Sequence, residues 1–249
     1  MEQAWQRDCC ELLEQTPPDT QLLSLSSPNS QCRDCGAAIK PWHNVPVLSY
    51  VFLRGYCAGC GASISSRYPI IELCTALLSF AAAMVFGPTL QLAGALLLIW
   101  SLVVLTGIDI DTQLLPDSIT LPLLWLGLLL NINSAFTSLN DAVVGAAAGY
   151  LTLWSVYWIF KLTTGKDGMG FGDFKLLAAL GAWFGWQTIP LIIILSSFVG
   201  AFIGILLILL KKQGREVPMP FGPYLAGAGL ITLFFGDRLT AAYFSFIGL

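Results

Sequence analysis

Charge is scarce in this sequence. Asp, Glu, Lys and Arg together make up 11% of its 249 residues, where an ordinary soluble domain carries about a quarter. The formal net charge is −3, and no basic cluster stands out. That balance excludes nucleic acid as a partner, because phosphate binding needs a cationic surface. Histidine is scarcer still: His43 is the single one, which excludes a histidine-rich catalytic metal centre. No internal repeat, low-complexity tract or heptad run is evident, so a solenoid or filament is not expected. The opening MEQAWQRDCCELLEQ is polar and acidic rather than a secretory signal, and insertion into a membrane is expected to rely on internal segments.

Apolar residues are what the sequence has in excess. They form 56% of the chain, and the mean hydropathy is +0.74, more apolar surface than a soluble core of this size could hide. Residues 1–68 are mixed and polar; 69–249 hold long, nearly uncharged runs. These runs, at about 68–86, 90–108, 118–132, 142–160, 174–186, 189–210 and 221–235, are seven candidate spans. Several approach the ~20 residues that cross ~30 Å of hydrocarbon, while the fifth and seventh are short enough to be tilted, re-entrant or set within a bundle. The expected fold is an all-α polytopic membrane protein of about seven transmembrane helices, with a small head over 1–68 and a transmembrane domain over 69–249. Small-residue stretches such as VVGAAAGY and LAGAGL read as close helix contacts in lipid.

Positive residues near span ends resist translocation. With the head cytoplasmic and the loops alternating, Arg7, Arg33, Lys40, Arg54, Arg67, Lys161, Lys166, Lys175, Lys211, Lys212 and Arg215 all fall inside, and only Arg238 falls outside. Eleven of twelve basic residues on one side fix the expected orientation. The same alternation puts segments 109–117 and 161–173 together at the cytoplasmic face.

The head holds Cys32-Arg-Asp-Cys35 and Cys57-Ala-Gly-Cys60. Each C-x-x-C places two sulfurs on one tight turn, and four thiolates suit tetrahedral zinc, which would close a domain with little apolar core. Two disulfides or scattered free thiols are the alternative, disfavoured in a reducing cytoplasm. Cys9, Cys10 and Cys74 lack such partners and are expected to be inert, and His43 is expected to be structural or on the surface.

Two acidic groups lie where spans meet the cytoplasmic face: Gly107-Ile-Asp109-Ile-Asp111-Thr-Gln-Leu-Leu-Pro116-Asp117 and Gly168-Met-Gly170-Phe-Gly172-Asp173. An ionisable group at a membrane boundary is costly unless solvated, paired or used. Two carboxylates brought together can share one proton and activate water against a peptide carbonyl. The glycines before Asp173 are expected to permit a turn closed to side chains and to let a peptide backbone approach. Helix capping is the alternative for each aspartate, and is the favoured one for Asp117. Asp111, two residues from Asp109, would face elsewhere on a helix. Spacing alone also fits a proton- or cation-coupled transporter or a scaffold.

The assembled elements resemble the bacterial type IV prepilin peptidases, G-x-G-D aspartyl membrane proteases, from about Pro28 to the C-terminus. They are the two knuckles, Pro41-Trp-His-Asn-Val-Pro-Val-Leu-Ser-Tyr50, Arg67-Tyr-Pro-Ile-Ile-Glu-Leu73, the D-x6-P-D element from Asp109, Gly170-Phe-Gly172-Asp173 and Pro220-Phe-Gly-Pro-Tyr224. The resemblance implies a multi-pass inner-membrane enzyme that cleaves the basic leader from type IV prepilins and type II secretion pseudopilins after a glycine, with Asp109 and Asp173 as catalytic pair. It also implies methylation of the new amino terminus with S-adenosylmethionine. Family members usually begin with a further hydrophobic span and a Gly-Ser-Phe-Leu-Asn-like stretch; seven spans rather than eight are expected here, with an inactive truncated homologue as a further alternative.

Overall fold

The computed structural model describes residues 30–32, 34–166, 168–210 and 220–247. Arg7, Arg33, Lys211, Lys212, Arg215, Cys9 and Cys10, which carried parts of the sequence reading, lie outside the described residues. The chain divides into two compact units, Met1–Leu73 and Cys74–Leu249.

The first unit is built from turns. Contrary to the expectation of no internal repeat, QCRDCGAAI and YCAGCGASI are two copies of one module, offset by 25 residues. In the first, Cys32 N–H donates to Ala37 O, Gly36 N–H to Cys32 O and Ile39 N–H to Ser30 O. In the second, Cys57 N–H donates to Ala62 O, Gly61 N–H to Cys57 O and Ile64 N–H to Gly55 O. Each turn closes at a left-handed glycine, Gly36 (φ 68°) or Gly61 (φ 72°), a conformation that side chains disfavour. Each copy is nine residues long, far shorter than the unit of a solenoid. Between the copies lie a 3₁₀ turn, Pro41–Asn44, and a short helix, α1 (Leu48–Phe52). Val47 holds a left-handed φ of 59°, with its N–H donated to Glu72 Oε2 at 2.8 Å.

Seven longer helices follow: α2 (Arg67–Phe86), α3 (Leu90–Thr112), α4 (Asp117–Asn131), α5 (Leu139–Thr164), α6 (Phe171–Phe184), α7 (Ile189–Leu209) and α8 (Gly222–Ile247). No strand occurs among the described residues, and the all-α expectation holds. Five helices are long and apolar enough to cross a membrane: α2, α3, α5, α7 with the turn before it, and α8. The seventh segment is therefore longer than the hydropathy suggested. Gly236-Asp237-Arg238 ends the apolar run but not the helix, since backbone hydrogen bonding does not depend on hydropathy. The third, a 15-residue helix bounded by Pro116 and Asn131, has the length of the apolar run that located it.

Local chemistry fixes several ends. Thr89 Oγ1 accepts the Leu92 N–H (3.3 Å) to start α3, and Ser138 Oγ accepts the Asp141 N–H (3.1 Å) to start α5, each satisfying a donor that the first turn orphans.

The centre of the second unit is α6. Its residues Leu176–Trp183 are all buried, so this 14-residue helix is enclosed by protein rather than by lipid. α5 packs along it most extensively. Gly145 and Gly181 meet where these helices cross: a Cβ on either would collide with the other's carbonyl oxygen, and a Cβ on Gly149 would lie 2.6 Å from Leu177 O. On another side, Trp183 Nε1 donates to Leu123 O of α4 at 2.8 Å, and its indole fills the space that Gly127 leaves open. Gly229 of α8 does the same for Leu180, whereas nothing lies within 4 Å of a Cβ on Gly227. The small residues of VVGAAAGY and part of LAGAGL thus serve packing, as expected.

Candidate active site

Asp109 sits in the last turn of α3. The helix stops at Gln113, which takes a left-handed conformation (φ 54°, ψ 32°) and returns its N–H to Asp109 O. Asp109 is 4% exposed, and its Oδ2 accepts the N–H of Gly222, the first residue of α8, at 3.0 Å. Asp111 is exposed on the same helix; two residues rotate a side chain by about 200°.

Asp173 is in the first turn of α6 and is 7% exposed. It is not the N-cap. Gly170 is, and the Asp173 N–H donates to the Gly170 carbonyl at 3.3 Å.

The glycines before Asp173 serve differently from the expectation. Gly168, Gly170 and Gly172 have no positive φ, so none is needed for a turn closed to side chains. Gly172 permits a close approach, since its Cβ would lie 2.7 Å from Leu115 Cβ. Gly170 borders open space beside Asp173.

Both aspartates line one cavity of about 860 Å³, with Gln113, Leu115, Phe221 and Tyr224 among its walls. Two buried carboxylates facing one space cannot both ionise without cost, so the pair is suited to hold one proton between them. Asp117 is not the N-cap of α4, a position Pro116 occupies, but its charge does stand in the first turn of that helix, as the capping alternative expected. Its carboxylate takes Lys175 Nζ at 2.6 Å, tying the start of α4 to the turn that carries Asp173.

In the first unit the sulfurs of Cys32, Cys35, Cys57 and Cys60 all lie within 4.8 Å of one another, a set able to hold a metal ion. Cys32 Sγ and Cys60 Sγ are 3.9 Å apart, and all four thiols are free rather than in disulfides. Backbone N–H groups of Cys60 and Gly59 hold the Cys57 thiol down at about 6, which makes thiolate available at neutral pH. Cys60 goes the other way, to about 12: the Ala62 N–H favours its thiolate, but burial and the sulfurs of Cys35, Cys57 and Cys32 oppose a further negative charge. A bound cation reverses that opposition. His43 is not in the cluster; its ring stands edge-on to Trp42. Cys74 is exposed on α2.

The sequence pattern described as the type IV leader peptidase family matches residues 96–205, and that of the bacterial peptidase A24 N-terminal domain matches residues 10–86. A prepilin leader peptidase/N-methyltransferase of Pseudomonas aeruginosa is 53% identical over 249 residues, covering 100% of this chain and 86% of that protein. The chain belongs to the type IV leader peptidase family. An Aeromonas hydrophila relative with the same name is 58% identical over 225 residues, 90% of this chain and 78% of that protein. A Legionella pneumophila relative, also so named, is 44% identical over 247 residues, 99% and 86% of the two chains. No solved structure matches the chain. Within the family's two patterns, the first covers both aspartates and the second the four cysteines.

Three residues at this site went unassigned in the sequence. Gly222 and Lys175 carried no signal of their own, although Gly222 lies in the Pro220–Tyr224 element. The Leu115 contact of Gly172 depends on a fold that spacing does not show.

Proposed function

We propose that this multi-pass membrane enzyme is an aspartyl endopeptidase that removes the basic leader of type IV prepilins and type II secretion pseudopilins, with Asp109 and Asp173 as its pair. The observation that carries the pair is their burial on one cavity of about 860 Å³. The ionised carboxylate takes a proton from water as the water oxygen attacks the scissile carbonyl carbon. The protonated partner donates to the carbonyl oxygen. Collapse of the tetrahedral intermediate breaks the C–N bond: the proton taken from water passes to the leaving amine, and one hydroxyl returns its proton to the partner carboxylate as the new carboxyl group forms. Gly170, open beside Asp173, leaves room for the substrate backbone.

The head and the cavity face the cytoplasm in this reading. Support comes from the charge asymmetry and from Arg238, the one basic residue expected outside. Arg238 shares a second cavity with Phe86, Gln91 and Ala135, at the end of α3 remote from Asp109. The hydrophobic pilin segment lies among the spans, and the basic leader stays at the aqueous mouth.

Zinc is the metal proposed for the four cysteines. Zn–S bonds of about 2.3 Å put tetrahedral sulfurs about 3.8 Å apart, and Cys32 and Cys60 already stand at 3.9 Å. S-adenosylmethionine is the donor for the N-methylation that the relatives' names carry.

The test is cleavage of a basic-leader prepilin in membranes by the wild-type chain, Asp109→Asn and Asp173→Asn. Each variant is expected to lose roughly 100- to 10,000-fold in rate, as removal of a general acid or base does. Undiminished processing by either would end the assignment.

A further inference from the structure

Asp109 is held from outside its own helix. The donor is the Gly222 N–H, 113 residues away in sequence and buried with it. The neighbouring main chain leaves that role to Gly222. Pro223 has no N–H, and Tyr224 and Leu225 donate to the Phe221 carbonyl at 3.1 and 3.2 Å. A Cβ on Gly222 would lie 2.6 Å from Asp109 Oδ2, 3.1 Å from its Cγ and 3.2 Å from Leu115 Cδ1. A buried carboxylate and a side chain anchored on the α3–α4 connection have little room to retreat.

We propose that Gly222 is the positioning residue for Asp109: its N–H engages Oδ2, and its lack of a side chain lets α8 close on the carboxylate so that Oδ1 is presented for proton transfer. This rests on Asp109 being one of the catalytic pair. The setting of α8 then fixes one carboxylate and that of α6 the other, and the distance between them is a property of how these two helices pack. Gly229 against Leu180 is one of the contacts between them.

The experiment compares prepilin cleavage by the wild-type full chain, Asp109→Asn, Gly222→Ala and Gly227→Ala in detergent, with Tm measured on each. Gly227 is the control on the same helix, since a Cβ there meets nothing within 4 Å. Gly222→Ala is expected to lose roughly 100-fold in kcat, the scale for an ångström-sized misplacement, with KM within about twofold of wild type. Gly227→Ala should match wild type. A Gly222→Ala variant with full kcat, or one that changes only KM, overturns the proposal while an inactive Asp109→Asn keeps the protease reading intact. Cleavage by Asp109→Asn overturns both. Should Gly222→Ala not accumulate as folded protein, Asp109→Cys combined with Gly222→Cys, in a chain with Cys9, Cys10 and Cys74 changed to Ser, decides the matter. Mild oxidation should cross-link the two positions, and absence of the cross-link overturns the proposal.

Discussion

Asn131 is fully buried, and its side chain is satisfied on both ends. Nδ2 donates to Ala182 O and Trp183 O at 2.9 and 3.0 Å, and Oδ1 accepts the N–H groups of Phe136 and Thr137 at 2.9 and 3.1 Å. Asn131→Ala strands these partners, at about 1–3 kcal/mol for each buried group left unmade. A fall in Tm of several degrees in detergent is expected, and an unchanged Tm would remove the clamp from the account. Gly172→Ala acts on the site instead. Its Cβ drives into Leu115 beside both aspartates, and a loss of about tenfold or more in prepilin cleavage is expected. The choice of Asp109 over Asp111 was legible in the order of the motifs, and burial agrees with it. The reason for Gly172 was not legible, because the residue it must avoid is 57 positions away and is brought near only by the α4–α6 packing.

At the scale of elements, the short α6 keeps its place through contacts that tolerate no added atom. Gly145→Val or Gly181→Val would force α5 and α6 apart at a backbone-to-backbone contact, and loss of folded protein from the membrane is the expected result, read by monodisperse yield. The Asp117–Lys175 pair is different in kind. It is short, but its side chains are 55% and 26% exposed, and solvent leaves such pairs about 0–1 kcal/mol. Asp117→Asn should keep cleavage within about threefold of wild type; a loss beyond about tenfold would place Asp117 in the chemistry. Hydropathy located all seven helices of the second half because each carries an apolar run. It misjudged α8, where two charged residues interrupt the run but not the hydrogen bonding. It gave α4 its right length, 15 residues, which a proline at one end and a buried asparagine at the other impose.

For the whole molecule, division into two units near Leu73 predicts separable responses to metal removal. Purified reduced protein should carry about one zinc per chain by elemental analysis, and Cys→Ser at 32, 35, 57 or 60 should lose it. Proteolysis of residues 30–66 should then quicken while the helices from α3 onward keep their thermal transition. Protein prepared without chelators and free of zinc would reject the metal. The four sulfurs were legible as a set, and the two copies of one module that carry them are legible in the same residues, which match at five of nine positions. Residues 31–39 and 56–64 differ at four of nine positions, and no cysteine is among the four. Exchanging the two segments therefore yields a permuted head with an unaltered ligand set, one in which any surviving difference in function must be charged to the flanking side chains and to their order along the chain, never to the metal.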